Sequence, residues 1–241
     1  MKYSKIVLSL FAVVLFMPGY SYSKSIKGSG NIIKESRSVS GFDKVSISGS
    51  GLLFITQGND ELLVIECDDN IAPHIRSLVK NGNLKIDHKN VRLKPSEPIK
   101  YRLSFKNLKS LSSSGSIKVN GDVLKTENLD LWISGSGKIS LENLEAHSIT
   151  SAMSGSGEIN IESGYVKNLK ISMSGSGEVS VSNLKSENTD LAISGSGKAK
   201  VWATHELDIK ISGSGKIDYY GTPIVSTHIS GSGKVESHGI K

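Results

Sequence analysis

Apolar and polar residues alternate in short runs through the second half of the chain, and the runs return about every 20 residues. Lys138–Leu141 is one such run, and Glu158–Ile161 and Glu178–Val181 repeat its pattern. A second alternating run, such as Leu169–Met173, follows within each repeat. This alternation predicts half-buried β-strands, because successive side chains of a strand point to opposite faces.

A Ser-Gly-Ser-Gly tetrapeptide recurs between these runs. The glycines predict tight turns, because glycine adopts positive φ and lets two backbones approach closely. Self-similarity at this period predicts a stacked repeat, in which each coil buries its apolar face against its neighbours. The identical copies are Ser48–Gly51, Ser134–Gly137, Ser154–Gly157, Ser174–Gly177, Ser194–Gly197, Ser212–Gly215 and Ser230–Gly233.

We therefore predict an all-β fold, a right-handed parallel β-helix (solenoid) of about 20-residue two-strand coils. Stacking predicts inward columns of apolar side chains, and a slip of one residue would bury Lys138 and Glu158 instead. One pair of columns is Ile139, Ile159, Val179, Ala199, Ile217 and Val235 with Leu141, Ile161, Val181, Val201 and Tyr219. The other pair is Leu131, Ser151, Ile171, Leu191 and Ile209 with Ile133, Met153, Met173, Ile193, Ile211 and Ile229.

Residues 24–111 show the repeat less clearly, and they predict an irregular β-rich half that caps one end of the solenoid formed by 112–241. We expect 24–241 to be one continuous domain. Asp68–Asn70 is typical of a helix N-cap, and with Pro73 it predicts a short helix through Ile71–Leu78. The predicted strands of this half are Phe42–Ser48, Leu52–Gln57, Leu62–Cys67, Leu84–His88 and Ile99–Phe105.

Residues 1–23 are typical of a secretory signal peptide. Lys2 and Lys5 precede the apolar run Ile6–Met17, and Ser21–Ser23 supplies a small-residue cleavage site. The apolar run is too short to span a bilayer, and no other segment approaches that length. We expect export to the periplasm, the cell surface or the medium, with no transmembrane segment in the mature chain.

Composition excludes some classes of function. The formal net charge is +6, and the basic residues are scattered rather than gathered into a nucleic-acid-binding stripe. Cys67 is the single cysteine, so no intramolecular disulfide forms, and its strand-like surroundings predict a buried thiol. The glycine-rich turns match neither the Walker nor the Rossmann pattern, and the histidines lack zinc-ligand spacing. We expect no cofactor, no metal and no nucleic-acid partner.

Two outward columns carry the candidate chemistry. Asp190 and Asp208 are predicted one coil apart, roughly 5 Å, which suits a retaining glycosidase pair or a calcium site. Lys170 and Lys210 fall close enough to neutralise them, and this favours an inert surface ion pair and no catalytic residue.

The neighbouring column begins at Trp132, continues through small residues and ends at Lys210 and His228. We predict these three residues as binding residues, because an exposed indole stacks on sugar rings and is typical of interfaces. Packing of Trp132 under the N-terminal half is an open alternative. For Trp202, packing at a corner is favoured.

A resemblance covers roughly residues 30–235. Its motifs, followed by the serial Gly-Ser-Gly units, are Gly41–Val45, Ser48–Gly51, Gln57-Gly58, Glu66–Asn70 and Asn81–Ile86. Together they resemble the bacterial head GIN domain family, a domain of unknown function described as a "putative auto-transporter adhesin". The resemblance implies a β-helix without a shared catalytic set, and an adhesive role.

We expect an exported, non-enzymatic binding protein, an adhesin or cell-envelope scaffold that presents a flat solenoid face to a surface ligand such as a polysaccharide or a protein. Two alternatives stay open. One is a glycan-active enzyme, a polysaccharide lyase or hydrolase, since β-helices often host such activities. The other is a purely structural module that forms homo-oligomers.

Overall fold

The computed structural model describes residues 25–89 and 91–241, so the predicted signal peptide, residues 1–23, lies outside the described residues. The first eight strands are β1 Ser25–Lys27, β2 Ile32–Ser38, β3 Lys44–Gln57, β4 Leu62–Asp68, β5 Ile75–Lys80, β6 Asn83–His88, β7 Arg92–Lys94 and β8 Lys100–Phe105. The repeats hold β9 Ser110–Gly135, β10 Lys138–Gly155, β11 Glu158–Ile161, β12 Gly164–Gly175, β13 Glu178–Gly195, β14 Lys198–Gly213, β15 Lys216–Tyr220, β16 Ile224–Gly231 and β17 Lys234–Ser237.

The repeats stack as a parallel β-solenoid of about six turns, which confirms the predicted fold class. Successive coils pair in parallel and in register: Ile139 lies beside Ile159, which lies beside Val179. The register holds along the alternating strands because the Gly-Ser-Gly turns and the apolar positions repeat together. Between β13 and β14 it shifts twice, between Val181 and Lys185 and between Ser186 and Asn188.

The predicted inward columns are buried through the middle of the stack. Ile171, Leu191 and Ile209 are among the most buried residues, and Ser151 is enclosed in the same column. The columns open towards the C-terminal end, where Tyr219 is partly buried and Ile229, in the last coil, is 40% exposed. A solenoid coil is covered by its neighbours on both sides, and the last coil has a neighbour on one side only.

Each full coil also has a third ladder segment between the two predicted strands. Leu144 pairs with Gly164 and Ala146 with Val166, in the stretch where the sequence suggested only a corner. Leu144 is buried, as are Leu124 and Leu184. This segment widens the core beyond the columns predicted from alternation.

The Gly-Ser-Gly turns stack directly on each other. The backbone N–H of Ser156 donates to the Gly135 carbonyl at 3.0 Å, and the N–H of Glu158 donates to the Gly137 carbonyl at 3.0 Å. Gly155 adopts a φ of 114°, a left-handed conformation that favours glycine. The turns therefore continue the backbone ladder around the edge of the solenoid.

The N-terminal half extends the stack. β3 pairs in parallel with β9, and beyond β3 the strands β8, β4 and β2 follow, the last two in antiparallel pairs. The predicted helix through Ile71–Leu78 is wrong: only Ala72–His74 is helical, and β5 begins at Ile75. A turn at Asn81, which has a φ of 51°, pairs β5 with β6, and those ladder hydrogen bonds outweigh the local helix signal.

Candidate functional site

The structure brings the three predicted binding residues into one outward column, which we call the Trp132 column. Its members pair rung by rung across β9, β10, β12, β13, β14 and β16: Trp132, Ala152, Ser172, Ala192, Lys210 and His228. The column crosses six rungs of the solenoid, so it is a straight line of side chains along the stacking direction.

A shallow groove of about 810 Å³ follows the Trp132 column and the adjacent column of outward serines, such as Ser154 and Ser174. Its lining is mainly apolar. The groove exists because Ala152, Ser172 and Ala192 are small, while Trp132 stands at one end and Lys210 and His228 at the other.

The indole of Trp132 is 48% exposed, so it does not pack under the N-terminal half. Its exposed position beside the small side chain of Ala152 leaves room for a planar ligand on the solenoid surface. An aromatic face of this kind offers apolar area and an N–H donor at once.

Lys210 is held by its neighbours in the next outward column. Its ammonium contacts the Asp208 carboxylate at 2.9 Å, and this hydrogen bond, together with the charges of Asp208 and Asp190, raises the pKa of Lys210. The lysine therefore stays cationic, with one of its donors already used by Asp208. His228 lies beside Lys210 on the last rung and is exposed.

Asp190 and Asp208 occupy adjacent rungs, as predicted. Lys170 lies beside Asp190 on the other side, and Lys210 pairs with Asp208. The four residues border a small hollow of about 220 Å³ on the open sheet surface. The two aspartates therefore lie on adjacent rungs with a lysine beside each, Lys170 next to Asp190 and Lys210 next to Asp208.

A second, larger cleft was not predicted from the sequence. It has a volume of about 1240 Å³ and lies where the N-terminal half meets the first coils. Two ion pairs line it: Asp43 pairs with Lys109 at 2.7 Å, and Lys125 pairs with Glu145 at 2.9 Å. The first pair joins stretches far apart in sequence and the second joins adjacent rungs, so no single local motif indicates the cleft.

Trp202 lies in a cluster near the C-terminus, in agreement with its expected packing at a corner. The ammonium groups of Lys185 and Lys241 lie 6.0 and 5.9 Å from its ring centre. Lys241 also lies 5.0 Å from the Tyr220 ring, which stacks on His238. The indole is therefore surrounded by this chain's own cations and rings.

Three side chains of that region, Asp218, Glu236 and His238, are close enough together to hold a metal ion. Lys216 occupies the same place, with its ammonium 3.4 Å from Asp218 and 3.0 Å from Glu236. Burial raises the pKa of Asp218, and hydrogen bonds from His238 and Lys216 more than offset this, so the net direction is downward. The carboxylates are thus satisfied by protein cations, and the cluster has the chemistry of an ion-pair network.

The side-chain amide of Gln57, in the Gln57-Gly58 motif, forms hydrogen bonds with the main chain. Its amide nitrogen donates to the carbonyls of Lys106 and Lys125 at 3.0 and 2.9 Å, and its amide oxygen accepts the Lys125 N–H at 2.8 Å. One side chain therefore ties β3 to the turn after β8 and to the first coil.

Asp68 in the Glu66–Asn70 motif is completely buried, and it holds the segment between β1 and β2 in place. Its carboxylate accepts hydrogen bonds from the Gly30 N–H at 2.8 Å, and from the Ser96 hydroxyl at 2.6 Å and N–H at 3.0 Å. The Ser96 hydroxyl contributes most to lowering the pKa of Asp68, against the opposing effect of burial. Both motifs are explained by the fold.

A sequence model of the family described as "Putative auto-transporter adhesin, head GIN domain" matches residues 41–223. None of the curated proteins matches the chain. No helix among the residues that the structure describes is long and apolar enough to cross a membrane.

Solved structures share the fold over nearly the whole chain. A putative adhesin from Bacteroides fragilis NCTC 9343 is 24% identical with a TM-score of 0.82, covering 88% of this chain and 99% of that chain. A putative lipid binding protein from Parabacteroides distasonis ATCC 8503 is 27% identical with a TM-score of 0.73, covering 89% and 99%. A putative adhesin from the same strain is 25% identical with a TM-score of 0.68, covering 89% and 100%.

Proposed function

This chain belongs to the head GIN domain family of putative auto-transporter adhesins, and from that membership we propose that it is an exported, non-enzymatic binding protein whose ligand lies along the Trp132 column. The observation that carries the proposal is the groove of about 810 Å³ that follows this column across six rungs. Pockets with apolar lining and a few polar groups are the usual form of a binding site.

The groove suits an extended, flat ligand such as a polysaccharide. Trp132 offers a ring face on which a sugar stacks, and Lys210 and His228 offer hydrogen-bond donors at the other end. Between them, Ala152 and Ser172 leave the surface low enough for a chain to pass. Rungs about 4.8 Å apart give such a chain an evenly spaced surface to lie on.

A lipid is the second candidate ligand. The relative from Parabacteroides distasonis, 27% identical, is described as a putative lipid binding protein. The mainly apolar lining of the groove favours an acyl chain, and Lys210 at its end is placed to meet an acidic headgroup.

We propose that the ligand is bound without being cleaved. A catalytic acid needs a raised pKa, which comes from burial or from an unneutralised like charge. The Asp190 and Asp208 carboxylates lie on an open sheet surface, and Lys210 contacts Asp208 at 2.9 Å. Neither carboxylate therefore has the enclosed, unneutralised surroundings that a catalytic acid needs.

The proposed location is outside the cytoplasm. Membership of an adhesin family supports an exported or surface protein. The charged start, apolar run and small-residue site of residues 1–23 support a cleaved signal peptide.

The test is a binding screen of the exported protein against an oligosaccharide panel, matrix proteins and anionic phospholipid vesicles, with a cleavage assay on every oligosaccharide. We expect at least one probe to bind and to be recovered intact. Shortened oligosaccharides whose release is abolished by Asp190→Asn would instead support the glycan-active enzyme. Failure to bind any of the three classes of probe would contradict an adhesive role.

A further inference from the structure

The last coil of the solenoid ends in a free strand edge. β16 pairs with β14 on one side, and within residues 25–89 and 91–241 no strand pairs with its other side. The last residues pack back on earlier coils, since the His238 N–H donates to the Tyr219 carbonyl and the Lys241 ammonium donates to the Ser182 carbonyl at 2.7 Å. Half of the β16 backbone groups therefore face outward along the solenoid axis.

The same edge exposes side chains that belong to the core pattern. Val225 and Ile229 continue the inward columns of Leu207 and Ile211, and Thr227 continues the column of Ile209. In the preceding coil these positions are buried, yet Val225 is 38% and Ile229 is 40% exposed. The end of the stack therefore exposes side chains of the core pattern that a further rung would cover.

The other end of the molecule is protected in the usual way. Its edge strand β2 carries Lys34, Glu35 and Arg37, and β5 carries Arg76 and Lys80. Charged side chains on an edge strand oppose pairing with another chain. At the C-terminal end, the edge strand β17 carries Lys234 and Glu236. The longer edge strand β16, Ile-Val-Ser-Thr-His-Ile-Ser-Gly, has no Asp, Glu, Lys or Arg and lacks this protection.

We propose that this end binds a second copy of the chain, tail to tail, through antiparallel pairing of the two β16 strands about a two-fold axis. Inward residues spaced two apart must meet inward residues across such a pair. A two-fold axis at Thr227 achieves this, because it places Val225 of each copy opposite Ile229 of the other. Each copy thereby supplies the apolar cover and the backbone partners that the other lacks.

A second copy fits this edge for two physical reasons. The strand opposes itself without bringing like charges together, because it carries no acid, lysine or arginine. A two-fold contact also occupies the free β16 edge of both copies. The charged edge strands β2 and β5, at the far ends, oppose further pairing. The product is a closed dimer and not a fibre. This inference does not depend on the ligand proposed above.

The test measures the mass of the exported protein in solution over a wide range of concentrations. We expect a dimer whose dissociation constant rises by more than about tenfold in Val225→Lys, because the lysine would be buried in the contact. Leu78→Lys is the matched control: it changes a hydrophobic residue that is 62% exposed on β5, at the opposite end, and should leave the dimer intact. Circular dichroism checks that both variants keep their strands.

The Thr227→Cys variant tests whether the two β16 strands pair with residue 227 of one copy opposite residue 227 of the other. Directly opposed residues of an antiparallel pair have Cα atoms about 4.5–5.5 Å apart, which suits a disulfide. The native Cys67 is buried, and burial raises the pKa of its thiol to about 11, so it does not compete. We expect a dimer cross-linked through residue 227. A monomer at all concentrations, dissociation by Leu78→Lys, fibres, or failure of Thr227→Cys to cross-link would each overturn the proposal.

Discussion

Gly155 lies directly against Gly135 of the preceding coil, so closely that a Cβ atom on Gly155 would sit 2.6 Å from the Gly135 carbonyl oxygen. Gly155 also has a φ of 114°. Two separate constraints, one conformational and one steric, therefore require glycine at this position of the turn. The serine that follows it, Ser156, is exposed and contributes its backbone N–H.

Gly155→Ala is expected to lower the free energy of unfolding by about 2–4 kcal/mol, because the new methyl group meets backbone that has no room to move and φ is unfavourable for alanine. Ser156→Ala, one residue away, should change it by less than about 0.5 kcal/mol. Urea unfolding of both variants measures the difference. Similar losses in the two variants would contradict the distinct roles of the two positions.

Ile171→Ala is expected to cost about 2–5 kcal/mol, the usual range for a large-to-small change in a packed core. Ile171 is enclosed between the coils that carry Ser151 and Leu191. Ser172 points outward from the same strand, so Ser172→Ala should cost less than about 0.5 kcal/mol. If urea melts showed equal sensitivity at the two positions, the inward assignment of Ile171 would be wrong.

Asp68→Asn is expected to destabilise the protein most at neutral pH. The pKa of Asp68 is lowered in the folded state, so its stabilising effect is complete above the ordinary value of 3.8 and is lost as the pH falls through the lower folded-state value. The stability difference between the wild type and Asp68→Asn should therefore shrink in acid. The exposed Asp122→Asn serves as control in thermal melts across pH, and a difference for Asp68→Asn that does not change with pH would argue against the carboxylate as the anchor.

Trp132→Ala is expected to weaken binding of the oligosaccharide or lipid found in the screen by about 1–3 kcal/mol, within the range for a truncated interface aromatic. Trp202→Ala removes the same side chain from a different part of the surface and should leave affinity unchanged. Asp190→Asn should also have little effect, because that carboxylate lies outside the groove along the Trp132 column. Titration calorimetry on the three variants distinguishes them, and loss of affinity only in Trp202→Ala would move the site to the C-terminal cluster.

Export is expected to remove residues 1–23, so the mature protein should begin at Lys24. N-terminal sequencing of protein recovered from outside the cytoplasm tests the cleavage site. Recovery of that material with Met1 in place would show that residues 1–23 are retained.

The repeated part of the fold was predictable because its core positions recur at a fixed interval. Knowing that Ile139 is inward is enough to place Ile159 and Val179, and the same register places Trp132, Lys210 and His228 on one line. The groove itself was not predictable, because its depth depends on how the side chains around Ala152, Ser172 and Ala192 stand above the sheet. The third ladder segment was missed because Leu144 follows the turn-like Asn143.

The N-terminal half was less predictable because its contacts are not local. Asp68–Asn70 and Pro73 are typical of a helix start when considered alone. The Asp68 carboxylate instead accepts hydrogen bonds from Gly30 and Ser96, which are distant in sequence. The cleft between the two halves depends on contacts such as that of Asp43 with Lys109. Such pairs have no fixed spacing, so a single sequence does not indicate them.

The in-register stacking of the coils has a consequence for how such a protein can change over evolutionary time. The rungs that are 20 residues long meet in the same register, so duplication of one such segment, such as 138–157, would insert a rung without altering any existing junction. The surface would lengthen by about 4.8 Å for each duplication. Gain and loss of segments therefore gives this architecture a simple way to adjust its reach, one rung at a time.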